Sequence, residues 1–323
     1  MGAIDTLTPE ELELAPAAPP PATAGAMKAV LTDDRFSDPN WIYERKLDGI
    51  RCVAIRTGAA VELLSRNDLS QNDRWPELVA ALAKDKCDQF VIDGEVVAFE
   101  GSETSFAKLA QRARHYVPVF YYVFDILWLE GHDVRKLPLR TRKRLLRDAL
   151  EFRGNVRWTQ HRNRDGAAFF REACRKGWEG LIAKRADSPY VSTRSRDWLK
   201  FKCGHGQELV IGGFTEPRGS RVEFGALLLG YYRGKRFEYA GKVGTGFDTA
   251  TLRDLGDQMR KLQRQDPPFA DAASIKERNV TWVEPKLVAE IGFTEWTRDH
   301  RLRHPRFVGL RDDKPASEVV REA

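Results

Sequence analysis

The sequence predicts an α+β protein in two units, a larger one with helices packed on mainly antiparallel sheets and then a small closed β-barrel. Three observations carry this reading. The 323 residues exceed the roughly 100–200 of one ordinary domain. Up to about Cys203, short runs rich in Val, Ile, Phe and Tyr alternate with stretches of helical spacing. Beyond Cys203 the strands become short and punctuated by Gly, with a single helical stretch among them.

The elements follow in order. Residues 1–26 are rich in Pro and Ala and lack a basic head followed by an apolar core, so they read as a flexible tail or linker and not as a secretory signal. In residues 27–204, "VELLS" (61–65), "FVIDGEVVAF" (90–99), "FYYVFDILWL" (120–129) and "GLIAKR" (180–185) have strand composition. Between them "WPELVAALAKD" after Asp73, "SFAKLAQRARH" after Thr104, "RKRLLRDALE" after Thr141 and "GAAFFREACRK" after Asp165 carry helical spacing behind capping residues. In residues 205–323, "QELVIGGFT", "EFGALLLGYYRG", "KRFEYAGKVGTG" and "WVEPKLVAEIGFTEWT" read as strands, and "ATLRDLGDQMRKLQRQ" as a helix. Several strands, Gly turns and one helix in a segment of this size suggest an OB-fold barrel.

Composition narrows the class. Lys and Arg number 53 against 47 Asp and Glu, a net charge of +6, which suits a polyanionic partner without requiring one. No apolar run approaches the roughly 20 residues of a transmembrane helix. The four cysteines, Cys52, Cys87, Cys174 and Cys203, are scattered without CxxC pairing. Neither a zinc site nor a disulfide framework is indicated, and a reducing, cytoplasmic setting is the default expectation.

Chemistry concentrates in a few segments. "ERKLDGIR" (44–51) places Lys46 among Glu44, Arg45, Asp48 and Arg51. Neighbouring cations and partial burial would depress the pKa of Lys46 and prepare it as a nucleophile, while Asp48-Gly49 gives a turn where backbone approaches a ligand closely. Taken alone, the segment fits a salt-bridged surface turn equally well. Further segments lodge polar groups in apolar strands, where an unpaired charge is costly: Asp93 and Glu95, Asp125, and Glu179 with Lys184. In "DWLKFK", Lys200 and Lys202 alternate with Trp198 and Phe201, so both amines share a strand face. "RKLPLRTRKRLLR" (135–147) is basic throughout, as a solvated helix face or a phosphate-binding face would be.

In this order the segments resemble the covalent nucleotidyltransferases, the polynucleotide ligases and mRNA capping enzymes. Lys46 to Arg51 matches the family's KxDGxR, and Ser65 to Asn67 its next element. Asp93 to Glu95, Phe124-Asp125, "EGLIAK" (179–184) and "LKFK" (199–202) match the next four, and Arg311 to Lys314 matches the RxDK ending of the OB domain. Within that superfamily the C-terminal segment is most similar to the ATP-dependent DNA ligases of bacterial nonhomologous end joining, the module called ligase D. The chain has no room for the polymerase and phosphoesterase modules of the longest members, and is expected to be a minimal two-domain ligase. An RNA ligase, a capping-type enzyme using GTP, and a catalytically silent nucleic-acid-binding module remain the alternatives.

The resemblance implies a nucleotidyltransferase (ATP-grasp-like ligase) domain followed by an OB-fold, and a role for each matching residue. Lys46 would attack the α-phosphate of ATP and carry AMP. Glu44 would accept from the adenine amino group, Phe124 and Ile182 would sandwich the base, and Arg45 would help bind the nucleotide. Arg51, Arg66 and Glu95 would hold ribose and nick phosphate. Glu179 would bind Mg²⁺ or Mn²⁺, with Glu95 and Asp93 as weaker candidates. Lys200 and Lys202 would neutralise the α-phosphate, and Arg311, Asp313 and Lys314 would orient pyrophosphate. Nicked double-stranded DNA is the implied partner, with a DNA-end-binding repair protein beside it, no membrane, a monomeric state and a cytoplasmic, nucleoid-associated location.

Overall fold

In the first unit the chain forms α1 (Pro9–Glu13), β1 (Lys28–Leu31), β2 (Trp41–Arg45), β3 (Ile50–Thr57), β4 (Ala60–Ser65), α2 (Pro76–Leu82), β5 (Gln89–Val97), α3 (Phe106–Gln111) and β6 (Phe120–Leu129). It continues through α4 (Leu139–Ala149), β7 (Val156–Trp158), β8 (His161–Asn163), α5 (Gly166–Arg175), β9 (Gly180–Arg185) and β10 (Arg194–Lys202). This computed structural model describes residues 2–23, 25–112, 116–217 and 222–322; the end of the helix expected after Thr104, at 113–115, lies outside the described residues. The chain divides into compact units Met1–Cys203 and Gly204–Ala323. No helix among the described residues is long and apolar enough to cross a membrane.

Two sheets build the first unit. One has the order β1-β10-β9-β2-β8 and the other β7-β6-β5-β3-β4; only β1 with β10 and β7 with β6 pair in parallel. The strand period of two sends alternate residues to opposite faces. In the first sheet Tyr43, Leu181, Ala183, Leu199 and Phe201 point backwards and bury against Phe169 and Ala173 of α5. In the second, Cys52, Ala54, Ile92 and Val123 point outwards and bury under Leu78 of α2, Leu109 of α3 and Leu146 of α4. The remaining faces share an apolar cluster of Val53, Val91, Phe124, Leu127 and Trp198. Polar groups on those inner faces therefore converge between the sheets.

Two expectations are corrected here. The N-terminal segment is not a loose tail: Ile4, Leu7 and Ala15 are buried in the core of the second sheet, and Trp128 Nε1 donates to Ala18 O at 2.7 Å. Pro9 and a reciprocal capping box between Thr8 and Glu11 hold α1, a signal masked by the Pro/Ala composition around it. Cys174, at the end of α5, and Cys203, just beyond β10, form a disulfide with Cα atoms 5.2 Å apart. The 29-residue spacing hid it, because hairpin-like folding of β9 on β10 brings the end of that segment back to α5.

The second unit comprises β11 (His205–Thr215), β12 (Leu227–Arg233), β13 (Arg236–Val243), α6 (Thr249–Arg260), β14 (Val280–Val283), β15 (Val288–Phe293) and β16 (Arg306–Arg311). The long strand β11 serves both of its edges. One pairs with β12, and the other takes β15 along His205–Val210 and then β14 along Gly213–Thr215. The sheet wraps a core of Leu209, Ile211, Leu229 and Ile291, with Leu255 and Met259 of α6 against it. This is the expected OB-type strand set, although among the described residues no ladder joins β13 to β16 to close the barrel.

Candidate active site

Ladder register assembles the site. Residues opposed in an antiparallel pair share a face. Glu44 on β2 lies opposite His161 on β8 and Ile182 on β9, and Ile182 lies opposite Lys200 on β10, so these four form one row across the sheet. The next row carries Ile42, Lys184 and Trp198. On the other side Gly180 opposes Lys202, and Lys46 N donates to Gly180 O at 2.9 Å, which brings Lys46 beside that row. Gly180 has φ +148°, and a Cβ there would lie 1.9 Å from Phe201 O, so only glycine lets "EGLIAK" cross here.

Lys46 forms an ion pair with Glu179, its side chain 17% exposed. Burial works against the charged amine and Lys202 adds to that, but the carboxylate outweighs both and holds Lys46 above the ordinary lysine value. The expectation of a depressed pKa therefore fails for this form of the protein. Arg45 and Arg51 do not supply the missing repulsion. Arg45 lies on the back of the sheet, its guanidinium 4.4 Å from the Trp178 ring and donating to Ser102 O, which removes it from the inner-face residues. Arg51 is held bidentately by Asp93.

Glu179 offers what a hard cation requires. While its Oε1 meets Lys46, its Oε2 is shielded from solvent and has no hydrogen-bond partner. An orphaned carboxylate oxygen is costly unless a cation completes it. No cluster of three or more His, Cys, Asp or Glu side chains forms a cage among the described residues. The set therefore fits an ion such as Mg²⁺, which takes one or two carboxylates and keeps the rest of its shell for phosphates and water. Asp93 is withdrawn from this role: it is fully buried, with Arg51 on both oxygens and the Tyr190 hydroxyl donating at 2.6 Å. Glu95 lies opposite Arg51 in the β3–β5 ladder and is half-buried.

At the other end of the row Glu44 is 2% exposed, and its oxygens take Lys143 at 2.5 Å and Lys184 at 2.6 Å. Burial alone would raise its pKa, but the two ammonium groups bring it below the ordinary carboxylate value. A carboxylate has about four lone-pair positions, so acceptor capacity remains beside these lysines. Burial lowers Lys184 to about 8 despite Glu44, and Lys143 adds to the fall. Phe124 sits between two cations, Lys184 Nζ at 4.2 Å and Arg51 Cζ at 4.5 Å from its ring centre. Ile182 is on the inner face between Glu44 and Lys200.

Other members of the expected set act on the scaffold. Asp48 Oδ2 accepts from Phe106 N at the start of α3, and a Cβ on Gly49 would lie 2.3 Å from Val96 O, so this turn approaches a neighbouring strand. Asp125 lies opposite Asp93, and each like charge has its own arginine: a buried Arg142 grips Asp125 at 2.8 and 3.0 Å, and Arg51 holds Asp93. Arg66 stands in the turn after β4, where Ser65 Oγ accepts from Asn67 N and Leu69 N. In the second unit Arg311 holds Asp313 through two bonds of 2.8 Å, and Lys314 Nζ donates to Glu208 at 3.2 Å. The sequence reading missed Lys143, which α4 brings onto Glu44, and His161, which the strand register sets opposite it.

A lysine paired with a metal-type carboxylate, on an inner sheet face with two further lysines, followed by an OB-type unit, defines a covalent nucleotidyltransferase. Comparison with known proteins agrees. The family described as ATP dependent DNA ligase domain matches residues 21–202, and the ATP dependent DNA ligase C terminal region matches residues 220–314. The chain belongs to the ATP-dependent DNA ligase family. It is 38% identical over 291 residues to the multifunctional non-homologous end joining protein LigD of Pseudomonas aeruginosa, covering 87% of this chain and 35% of that protein. It is 36% identical over 287 residues to the LigD DNA repair protein of Mycobacterium tuberculosis (strain H37Rv), covering 87% and 37%. The chain thus spans a little over a third of the length of these curated relatives. A solved mycobacterial DNA ligase D, complexed with ATP and MES, superposes with a TM-score of 0.67 at 33% identity, covering 92% of this chain and 98% of that one.

Proposed function

We propose that the chain seals 3′-hydroxyl/5′-phosphate nicks in double-stranded DNA with ATP, through a lysyl-AMP intermediate, in double-strand break repair. The observation that carries this reading is the half-buried Lys46–Glu179 pair, whose second carboxylate oxygen is shielded and unpartnered. Lys46 sheds its proton and attacks the α-phosphorus, a P–N bond forms as the bond to pyrophosphate breaks, and AMP is left on the amine. Lys200 and Lys202 neutralise charge developing on the α-phosphate. Phe124 and Ile182 cover the base, and Glu44 accepts from its amino group. Arg51, Arg66 and Glu95 bind ribose and the nick phosphate, while Arg311, Asp313 and Lys314 serve the departure of pyrophosphate.

Glu179, with Glu95 as a second candidate, would hold Mg²⁺ or Mn²⁺, which supplies Lewis-acid charge stabilisation when bound. AMP then passes to the DNA 5′-phosphate and is displaced by the 3′-hydroxyl. A monomer acting on cytoplasmic, nucleoid-associated DNA and recruited by an end-binding repair protein completes the proposal. The test is incubation with α-labelled ATP and either metal, followed by denaturing electrophoresis. Label should stay on the chain, be released by acid, and disappear in Lys46→Ala. Equal labelling of that variant, or labelling by GTP in place of ATP, would refute the assignment.

A further inference from the structure

The basic run 135–147 is not one surface. Arg142 is fully buried on Asp125, and Arg135 pairs with Asp133 beside the helix. What remains on α4 is Arg140, Lys143, Arg144 and Arg147, spaced i, i+3, i+4 and i+7 and so aligned along one face. Like charges at these spacings oppose one another, each pair costing a few tenths of a kcal/mol, so helix stability does not explain them. The four line a cavity of about 260 Å³ that has Ile42, Trp158 and His161 as its other walls. Among the described residues no carboxylate is part of the lining, but Arg144 is shared with Glu11 at 3.3 Å and the Thr6 hydroxyl at 2.6 Å, and Arg140 donates to Asn163 Oδ1 at 2.8 Å and Pro39 O at 3.1 Å. Arg140 and Arg147 are exposed, and among the described residues Arg147 meets a carboxylate at Asp148, 3.8 Å away.

Two further features point to an anionic occupant. His161 Nδ1 is shielded from solvent and has no hydrogen-bond partner. Lys143 Nζ lies 4.4 Å from the centre of the Trp158 ring while donating to Glu44 Oε1, so it joins the cavity to the row of residues across the nucleotide-facing sheet. The volume is below the roughly 300–1,000 Å³ of pockets that enclose a whole drug-sized ligand, and suits one small group with its water. We propose that this cavity is a phosphate site, in which Arg140, Arg144 and Arg147 hold a phosphoryl oxyanion above Trp158 and His161. Its source is a backbone phosphate of the duplex or a free phosphate such as pyrophosphate. The duplex source rests on the ligase reading above; the site itself does not.

Two readouts test it on the full chain. Binding of nicked duplex is measured from 50 to 200 mM salt for the wild type and the Arg140→Gln/Arg147→Gln variant, with thermal melts to confirm folding. A backbone phosphate in the cavity predicts that the slope of log affinity on log salt falls by about one in the variant. In parallel, the His161 ring resonances are followed by NMR as inorganic pyrophosphate is added without DNA. Burial and then Lys143 hold that imidazole down to about 4, with Lys184 and Arg140 acting in the same sense and Glu44 against them. A bound anion should raise it in the wild type and not in the variant. A changed slope supports the duplex source, and a saturable histidine response with an unchanged slope supports the free anion. If a folded variant matches the wild type in both, the site does not exist. Lys46 labelling by ATP should be equal in the two proteins, and its absence from both would fault the ligase reading and not this one.

Discussion

With Lys46 as the proposed nucleophile, its ion pair with Glu179 holds it in the charged, unreactive form. Burial and Lys202 favour the free amine, and the Glu179 carboxylate, with a smaller contribution from Asp48, reverses that balance. Whatever takes Glu179 away from Lys46 therefore activates the lysine, and a divalent cation on the carboxylate is a direct way to do so. Glu179→Gln separates the two roles of this residue. The amide no longer stabilises the ammonium, so the Lys46 pKa should fall below that of the wild type. A raised folded-state pKa contributes stability below the unfolded value and loses it as pH rises through the folded one. The variant should accordingly be less stable than wild type at neutral pH, with the deficit closing above the ordinary lysine range. Adenylylation should nonetheless drop on the order of 10²-fold, because the charge that binds the cation is gone. Direct titration of labelled lysine and single-turnover labelling check the two halves. A Glu179→Gln enzyme with full activity would remove the metal role.

At the scale of elements, what could be read from sequence was what period and spacing encode. The strands 120–129 and 180–185 occupy the predicted residues, because each is a short, mainly apolar run of strand length. On α4 the stripe Leu139, Lys143, Leu146 and Ala149 was also present in the sequence, but Arg142 and Lys143 read as surface cations until Asp125 and Glu44 were found facing them. Partners across 17 and 99 residues are invisible to local patterns. The same applies to Cys174 and Cys203, whose loop contains Glu179, Ile182, Lys184, Lys200 and Lys202. Closing a loop of that length restricts the unfolded chain and is worth about 3 kcal/mol. Cys174→Ser, or reductant added to the wild type, should lower stability by that amount in denaturant titrations, reductant having no further effect on the variant. Both cysteines are half-buried, so a reductant can reach them. Free-thiol counting that finds four thiols in the oxidised wild type would refute the bridge.

For the whole molecule, the division at Cys203–Gly204 places the "RDDK" residues on a different unit from Lys46, the lysine proposed to carry AMP. Only Gly204 separates the disulfide cysteine from β11, whose ladder with β15 begins at His205. Any change of orientation between the units therefore has to be absorbed around Gly204, where a glycine tolerates large dihedral changes. If the second unit assists only the release of pyrophosphate, its residues matter for one step of three. Arg311 is pre-set for such a task, since Asp313 fixes its guanidinium plane through paired bonds. Arg311→Ala should abolish labelling from ATP yet seal a nick whose 5′ end already carries AMP. Lys46→Ala should behave in the same way on that substrate, its amine being spent before the last step. Glu179→Ala should fail on both substrates, because the cation also assists attack by the 3′-hydroxyl. Asp313→Asn tests the positioning separately: it removes the paired bonds from Asp313 while Glu290 stays 3.5 Å from the guanidinium, and should reduce labelling less than Arg311→Ala does. The measurement is single-turnover sealing of pre-adenylylated nicked DNA alongside labelling by ATP. An Arg311→Ala enzyme as inactive as Glu179→Ala on the pre-adenylylated nick would show that the second unit's arginine serves every step, and the division of labour between the units would be wrong.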